Sequence, residues 1–433
     1  MKSIYKYLFI LAWFTVAVTS CNFKEQVDPN RPGVDELVTK GQVNALTIGL
    51  LADIRNGLQI YRTASGTIAR DLYLFDADPR NTQDLLGKNG GQLDNNSFYL
   101  NDWYEPYYRV VKDCNLLIAA VAKDIPGVNT TEVKGYTGFA KTMKAHVFIQ
   151  VLNLLGSNGV RIEVADPANL GPFLKDAAAY TAIRSLLDEA ATDLDAAGAV
   201  FGFGLHEGFK DFNTPANFKK FNRALAAKVA LYQKSWADVL TQLGTSFYSE
   251  TGDLNVGPQY NFSSSANDLL NPLFYGTGSD NIYAHPSFNQ DAEAGDKRVA
   301  TKTLAQVNTK DNLTATHRQN IYKSSADPVS IIRNEELILM AAEAHIQQNN
   351  ATEAVRLINI VRTAAGLANY AGATDQATLI TQLLKERRYS LWLEGVRMAD
   401  LRRYNRLNAA NLPIDRTGDI VHTEFPIPLS DSN

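Results

Sequence analysis

The chain has 433 residues, of which 45% are hydrophobic and 20% charged, with a formal net charge of -4. This composition supports a large folded core, and the lack of a basic block argues against nucleic-acid binding. Cys21 and Cys114 are the two cysteines, too few for a disulfide framework; Cys114 falls in a helical pattern and is expected to pack as a small hydrophobe.

The chain opens with an address. Lys2 and Lys6 precede an apolar run from Tyr7 to Val18, a charged n-region and an h-region too short for a membrane-spanning helix. Val18-Thr19-Ser20-Cys21 then resembles a bacterial lipobox, with cleavage before Cys21. Residues 1–20 are read as a lipoprotein signal peptide, Cys21 as the lipidation site, and the polar stretch 21–33 as a flexible tether. Acyl chains contribute about 0.8 kcal/mol per buried methylene, so several anchor a protein without a transmembrane helix.

Beyond the tether, the apolar spacing predicts an amphipathic helix from Val34 to Leu58, with Leu37, Leu46, Leu50 and Ile54 on its face. A long irregular segment is expected from Tyr61 to Asn96, and loops of that length in a compact domain are usually functional. It carries Tyr73 and Phe75 as candidate ligand-binding rings. Its acidic cluster of Asp71, Asp76 and Asp78 lacks the ligand spacing of an EF-hand loop and reads as a solvated acidic turn rather than a calcium site. Further helices are predicted over 98–124, 131–155 with a stop at Gly156, and 180–197. In the first of these, Trp103, Tyr107, Val111, Cys114 and Ile118 form a stripe that reads as core.

Two stretches fit a degenerate tetratricopeptide register. Ala227 takes the repeat's eighth position, with Trp236 in the turn and Leu243 at the twenty-fourth. Ala342 takes the eighth position of the other, with a turn at 348–350 and then Ala354, Ile358 and Val361. Between them, 244–330 has few helical periods and many turn residues. Its rings include two more candidates, Tyr275 and Tyr283. Aromatic faces suit the C–H faces of sugars, whereas the bland role for any one ring is to plug its loop onto the scaffold. One or two rings are expected to be exposed.

The stretch from Leu383 to Tyr404 carries the strongest pattern. It reads as two helices joined at Gly395, the residue able to take a left-handed conformation at a helix end. Arg387 and Glu394 share a helical face by their spacing, and Arg397 and Asp400 stand at i, i+3. Arginine forks match carboxylates, so these charges read as ion pairs that fix the angle between the helices. The rival reading is an acid/base pair or an anion clamp. Glu386, Arg387, Leu391, Glu394, Gly395, Arg397, Asp400, Leu401 and Arg403 together resemble the C-terminal signature of the SusD/RagB family of outer-membrane lipoproteins. Arg333, Glu336, Ala342, Glu343, Ala344, Asn359 and Arg362 stand where that family's preceding block is expected. Trp103, Tyr107 and Asn115 resemble its second helix region, and the terminal Pro426-Ile427-Pro428 resembles its ending.

The resemblance implies an all-α fold, a tetratricopeptide-like right-handed helical scaffold with long irregular loops. It makes 34–433 a single domain, scaffold over 34–243 and 331–405 and loop-rich insertion over 244–330. It implies that Arg387, Glu394, Gly395, Arg397 and Asp400 hold the fold together and do no chemistry. The expected function is a binding protein, not an enzyme, lipid-anchored on the exterior of the outer membrane of a Bacteroidetes-type bacterium. There it captures an oligomeric nutrient, first of all a glycan, as the lid of a SusC-like TonB-dependent transporter, with no cofactor. The alternatives are a lipid-anchored α-helical glycoside hydrolase, a peptide-uptake lipoprotein, or a scaffold that binds only protein. The sequence has no H-x-x-x-H pair, G-x-S-x-G elbow, P-loop or G-x-G-x-x-G. A glycosidase pair needs only two acids about 5 to 9.5 Å apart, which a linear sequence does not reveal.

Overall fold

A computed structural model describes residues 37–432 apart from Asn267. The expected leader, Cys21 and tether lie outside the described residues. The first two helices among the described residues are α1 (Lys40–Asp53) and α2 (Leu58–Ile68). The chain breaks before Gly57, and helix α3 (Phe98–Val121) packs closely on that glycine: a Cβ there would lie 3.0 Å from the Trp103 Cα. The single helix expected to Leu58 is thus two, and α2 occupies the start of the segment expected to be irregular. Thr39 caps α1 in a capping box with Gln42.

Helix α4 (Thr130–Leu155) begins with the same device, Asn129 with Glu132, and ends at Gly156 as its sequence suggests. Helices α5 (Asp176–Asp195), α6 (Pro215–Tyr232) and α7 (Trp236–Gly244) follow, each packed on its chain neighbour. Trp236 opens α7 rather than sitting in the turn before it. The scaffold resumes with α10 (Asn334–Gln347) and α11 (Ala351–Ala364), joined by the turn at 348–350. Ala342, Ala354, Ile358 and Val361 are fully buried where these two meet, as the repeat register requires. Helix α12 (Gln376–Ser390) and the short α13 (Arg397–Arg403) close the array, and α13 packs back on α2 and α4. One buried apolar core runs from Val43 to Phe425.

The middle of the chain departs from the expectation of loops alone. Strands β1 (Leu72–Phe75), β5 (Asn281–Ala284), β6 (Thr303–Lys310) and β7 (Leu313–Gln319) form an antiparallel sheet in the order β1-β5-β7-β6. Two-stranded pairs are made by β2 (Val160–Arg161) with β3 (Phe173–Leu174), and by β4 (Gln259–Tyr260) with β8 (Val329–Ser330). Short helices α8 (Pro286–Gln290) and α9 (Lys297–Lys302) connect β5 to β6. The β6–β7 hairpin turns through Asp311 and Asn312, at φ 51° and 60°, the left-handed pair that a tight two-residue turn needs. Its period-2 signal is weak because Val307 on edge strand β6 is 69% exposed, so apolar residues do not all face inward.

Candidate functional site

The charged signature folds into a buried network at the α12–α13 hinge. Arg387 Nε donates to Asp400 at 2.7 Å, Arg403 Nη2 donates to the other Asp400 oxygen at 2.9 Å, and Arg403 Nη1 reaches Glu343 at 2.5 Å. Arg333 Nε holds Glu394 at 2.9 Å, while Arg298 and Arg362 share Glu386 at 2.7 and 2.8 Å. Burial alone would raise the Asp400 carboxyl, but Arg387 and Arg403 outweigh it and hold it below the usual carboxylate range. Such pairs tie the helices together.

Two details differ from the sequence reading. Helix α12 ends at Ser390, so Glu394 lies in the hinge and not on the helical face of Arg387. Leu393 (φ 65°) as well as Gly395 (φ 76°) is left-handed in that hinge. Gly395 is also closely packed: a Cβ would meet the Tyr61 ring at 2.6 Å. The second difference is Arg397, which does not pair with Asp400, whose oxygens are taken from α12 and from Arg403. It faces β1 instead, donating to the Ala69 carbonyl at 3.3 Å and lying 3.6 Å from Asp71. Burial and the neighbouring Arg388 lower its pKa to about 9, against the pull of Asp71.

Three of the four candidate rings are interior. Tyr73, Phe75 and Tyr283 are buried with Leu86, Leu313 and Ala315 between sheet and loop. Tyr73 stacks on Phe75 at 5.4 Å, and Phe75 meets Tyr283 at 5.2 Å. The Tyr73 hydroxyl donates to Asp415 at 2.5 Å and the Tyr283 hydroxyl to the Ser279 carbonyl at 3.0 Å. As placed, they offer no face to a ligand. They belong to the paired strands β1 and β5, so what reads as loop is buried sheet. Tyr275 alone of the four reaches the surface; it is half-buried, and its hydroxyl accepts from Gln59. Among the described residues no aromatic ring is more than half-exposed, which corrects the expectation of one or two free rings.

The acidic cluster does not stay together either. Asp71 is buried and paired with Arg388 at 3.3 Å, so it is no solvated turn. Asp76 accepts from the Asp78 N–H at 3.0 Å and from Asn81, and Asp78 caps the next turn while pairing with Arg80 at 2.6 Å. Among the described residues no three His, Cys, Asp or Glu side chains are placed to hold a metal.

The structure assembles one constellation that sequence reading missed. His285 Nε2 lies 2.7 Å from Asp415, and its Nδ1 lies 2.8 Å from Ser287 Oγ. The order resembles a Ser-His-Asp triad, yet its contacts are structural. The Ser287 N–H donates to His285 Nδ1 at 3.1 Å, which caps α8, and Arg388 donates to Ser287 Oγ at 2.7 Å. Asp415 is held further by Arg70 at 3.0 Å and by Tyr73. Ser287 is 8% exposed, so its hydroxyl is turned into the core. Burial pushes the His285 pKa down, which keeps the ring neutral. No local motif announces the group, because Asp415 stands 130 residues from His285.

Surface concavities lie elsewhere among the described residues. One, of about 290 Å³, lies where α4, α5, α6 and α13 converge, with Tyr180 and Tyr232 facing Arg402, Lys234, Asp176 and Glu424. The two rings sit 5.7 Å apart. Arg402 spends its guanidinium on the carbonyls of Asn153 (2.7 Å) and Thr423 (3.1 Å). Another, of about 510 Å³, runs from the α8–α9 turn to the start of β6 and includes His317 and Leu304. The first concavity sets mixed donors and acceptors beside aromatic carbon.

Comparison with known proteins fits this architecture. Residues 277–429 match the family model described as the SusD family. No curated protein matches. Among solved structures, surface glycan-binding protein A from Bacteroides thetaiotaomicron superposes with a TM-score of 0.70 at 15% identity, covering 91% of this chain and 97% of its own. A SusD superfamily protein from Parabacteroides distasonis gives 0.67 at 17% identity, covering 90% and 96%. One from Bacteroides vulgatus gives 0.67 at 14% identity, covering 91% and 96%. At such identities the likeness is one of fold.

Proposed function

We propose that this chain, SusD-like in its C-terminal family segment and in its fold, is a lipid-anchored outer-membrane protein that faces the cell exterior and binds an oligomeric nutrient. The reading makes it the lid of a SusC-like TonB-dependent transporter. The observation that carries it is the family match over 277–429 within a SusD-superfamily fold that spans nine-tenths of the chain. Glycan ranks first among ligands because several similar structures bear names such as "surface glycan-binding protein A" and "putative sugar binding protein". The Val18-Thr19-Ser20-Cys21 lipobox supports the anchor, and among the described residues no helix is long and apolar enough to cross a membrane. Residues 34–433 act as one domain in this reading.

The helical array supplies a rigid docking face and the loops supply selectivity. Tyr275, the surface-reaching ring of the four candidates, and the Tyr180 concavity are the proposed ligand contacts. The test is to tag the full-length protein in its native host, solubilise the outer membrane gently and identify what copurifies. A stoichiometric β-barrel of transporter size, with glycan or peptide binding by the complex, supports the lid. Recovery of the protein alone in several detergents would sink it, and turnover of an oligosaccharide by the mature chain would replace it with a hydrolase.

A further inference from the structure

Strand β6 is an outer strand of the sheet β1-β5-β7-β6. It is eight residues long and pairs with β7, and among the described residues no backbone hydrogen bond reaches its far side. An unpaired edge of this length is a template for another strand, which proteins usually guard with charge or proline. From Thr303 to Thr309 this edge carries neither; its guard is the bulge between Ala305 and Asn308. Gln306 and Asn308 turn inward to the carbonyls of Gly278 and Ser279, whereas Ala305, Val307 and Thr309 are exposed. The ladder also fixes where the backbone points. Lys310 and Leu313 flank the two-residue turn and so bond each other, which leaves the N–H and C=O of Thr309 facing away from β7. At the other end Asn320 donates to Lys302, and by the same alternation Ala305 faces away as well.

We propose that a second copy of this chain docks on this edge, β6 against β6, antiparallel and two-fold about Val307. That axis sets Val307 beside its own copy and joins the outward backbone groups of Ala305 to those of Thr309. Charge selects the register. The strand has one charged residue, Lys310 at its far end. A two-fold at Val307 puts Lys310 opposite Leu304, at the concavity lined by Glu293 and Asp296. Glu293 pairs with Arg362 yet keeps its side chain 37% exposed. A two-fold at Gln306 would instead bring Lys310 to Lys302, and like charges directly opposite destabilise a strand pair. One strand edge buries less than the roughly 800 Å² per partner of a stable complex. The contact is therefore weak in dilute solution and forms where both copies are held on one membrane. That last condition rests on the anchor proposed above; the edge and its register do not.

The experiment is disulfide crosslinking of the full-length chain in outer membranes of its native host, under mild oxidant. Cys114 is buried, and a lipidated Cys21 has no free thiol, so the unaltered chain should stay monomeric. A dimer of the unaltered chain would mark Cys21 as free and fault the anchor, while the comparison among variants still decides the pairing. Val307→Cys should give a band at twice the chain mass that Thr316→Cys, exposed on the neighbouring strand β7, does not give. Thr309→Cys should crosslink when coexpressed with Ala305→Cys and not by itself. These positions are exposed, so the variants should melt like the unaltered chain. Equal yields from Val307→Cys and Thr316→Cys, or no dimer from either, overturn the proposal. A conjugate of Val307→Cys with a different protein overturns it too, in favour of a foreign strand on the same edge.

Discussion

Replacing Asp400 by asparagine removes a charge from the centre of the hinge network with almost no change of shape. Arg403 keeps Glu343 at 2.5 Å. Arg387 keeps only Glu336 at 3.7 Å, an acid already committed to Lys228. The variant therefore leaves a fully buried guanidinium effectively unpaired, and breaking a buried pair in this way costs about 3–5 kcal/mol. Unfolding a chain of this size carries an entropy of roughly 0.9 kcal/mol per degree, so Tm should fall by about 3–6 °C. The assay is denaturant and thermal unfolding followed by tryptophan fluorescence, since Trp103 and Trp392 are fully buried. Asp195→Asn is the control: its pair with Lys219 is largely exposed and should be worth under about 1 kcal/mol. Replacing both hinge partners, Arg387→Met with Asp400→Leu, should recover most of the loss. The sign with pH follows from the depressed Asp400 carboxyl. Its contribution is present above the unfolded pKa of about 3.9 and is lost as pH falls through the lower folded value. The gap between wild type and Asp400→Asn should hold across neutral pH and narrow only in strong acid. A loss no larger than that of Asp195→Asn would refute the reasoning.

Burial takes His146 down to about 3, helped by Lys228 and Arg62, and the ring bonds Tyr260 at 2.8 Å. Its NMR signals should not titrate between pH 8 and 5, and its contribution to stability should fall by roughly 1.4 kcal/mol per unit as pH drops from about 6.5 towards the folded value. Gly395→Ala combines a left-handed backbone with a contact on Tyr61 and should lower stability by about 1–3 kcal/mol, read as a shift in denaturant midpoint. Tyr275→Ala should weaken glycan binding by the transporter complex in calorimetry with little change in melting, whereas Tyr73→Ala should cost about 3–5 kcal/mol by analogy with other large aromatic truncations. Binding loss from Tyr180→Ala but not Tyr275→Ala would move the ligand to the concavity beside α5. Cys21→Ser should release the protein from the membrane fraction and abolish incorporation of labelled palmitate.

Helices with local signals are legible in the amino-acid sequence. Helix α3 carries its stripe of Trp103, Tyr107, Val111 and Cys114 on one buried face, and α10–α11 turn where the repeat register places the turn. The sheet is not legible there. Strand β1 is four residues long, buried throughout and paired with β5 some two hundred residues away, Tyr73 opposite Tyr283. A fully buried strand shows no alternation, so its rings resemble loop rings available to a ligand. The Tyr180 concavity and the Ser287, His285, Asp415 group escape for a related reason, since each joins residues from distant segments.

Local sequence determined where several of the helices start. Asn129, Thr214, Asn350 and Asp375 each cap their own helix through contacts three residues away. It also marked the charged hinge, because closely spaced arginines and carboxylates between apolar positions must find acceptors. Tertiary structure alone decided which acid each arginine meets: Arg387 finds Asp400 across 13 residues, but Arg388 reaches Asp71 across 317. The periodicity of a segment says which face turns inward. What covers that face, and whether the cover leaves a ring free or a hydroxyl buried, depends on segments brought together only when the whole chain closes.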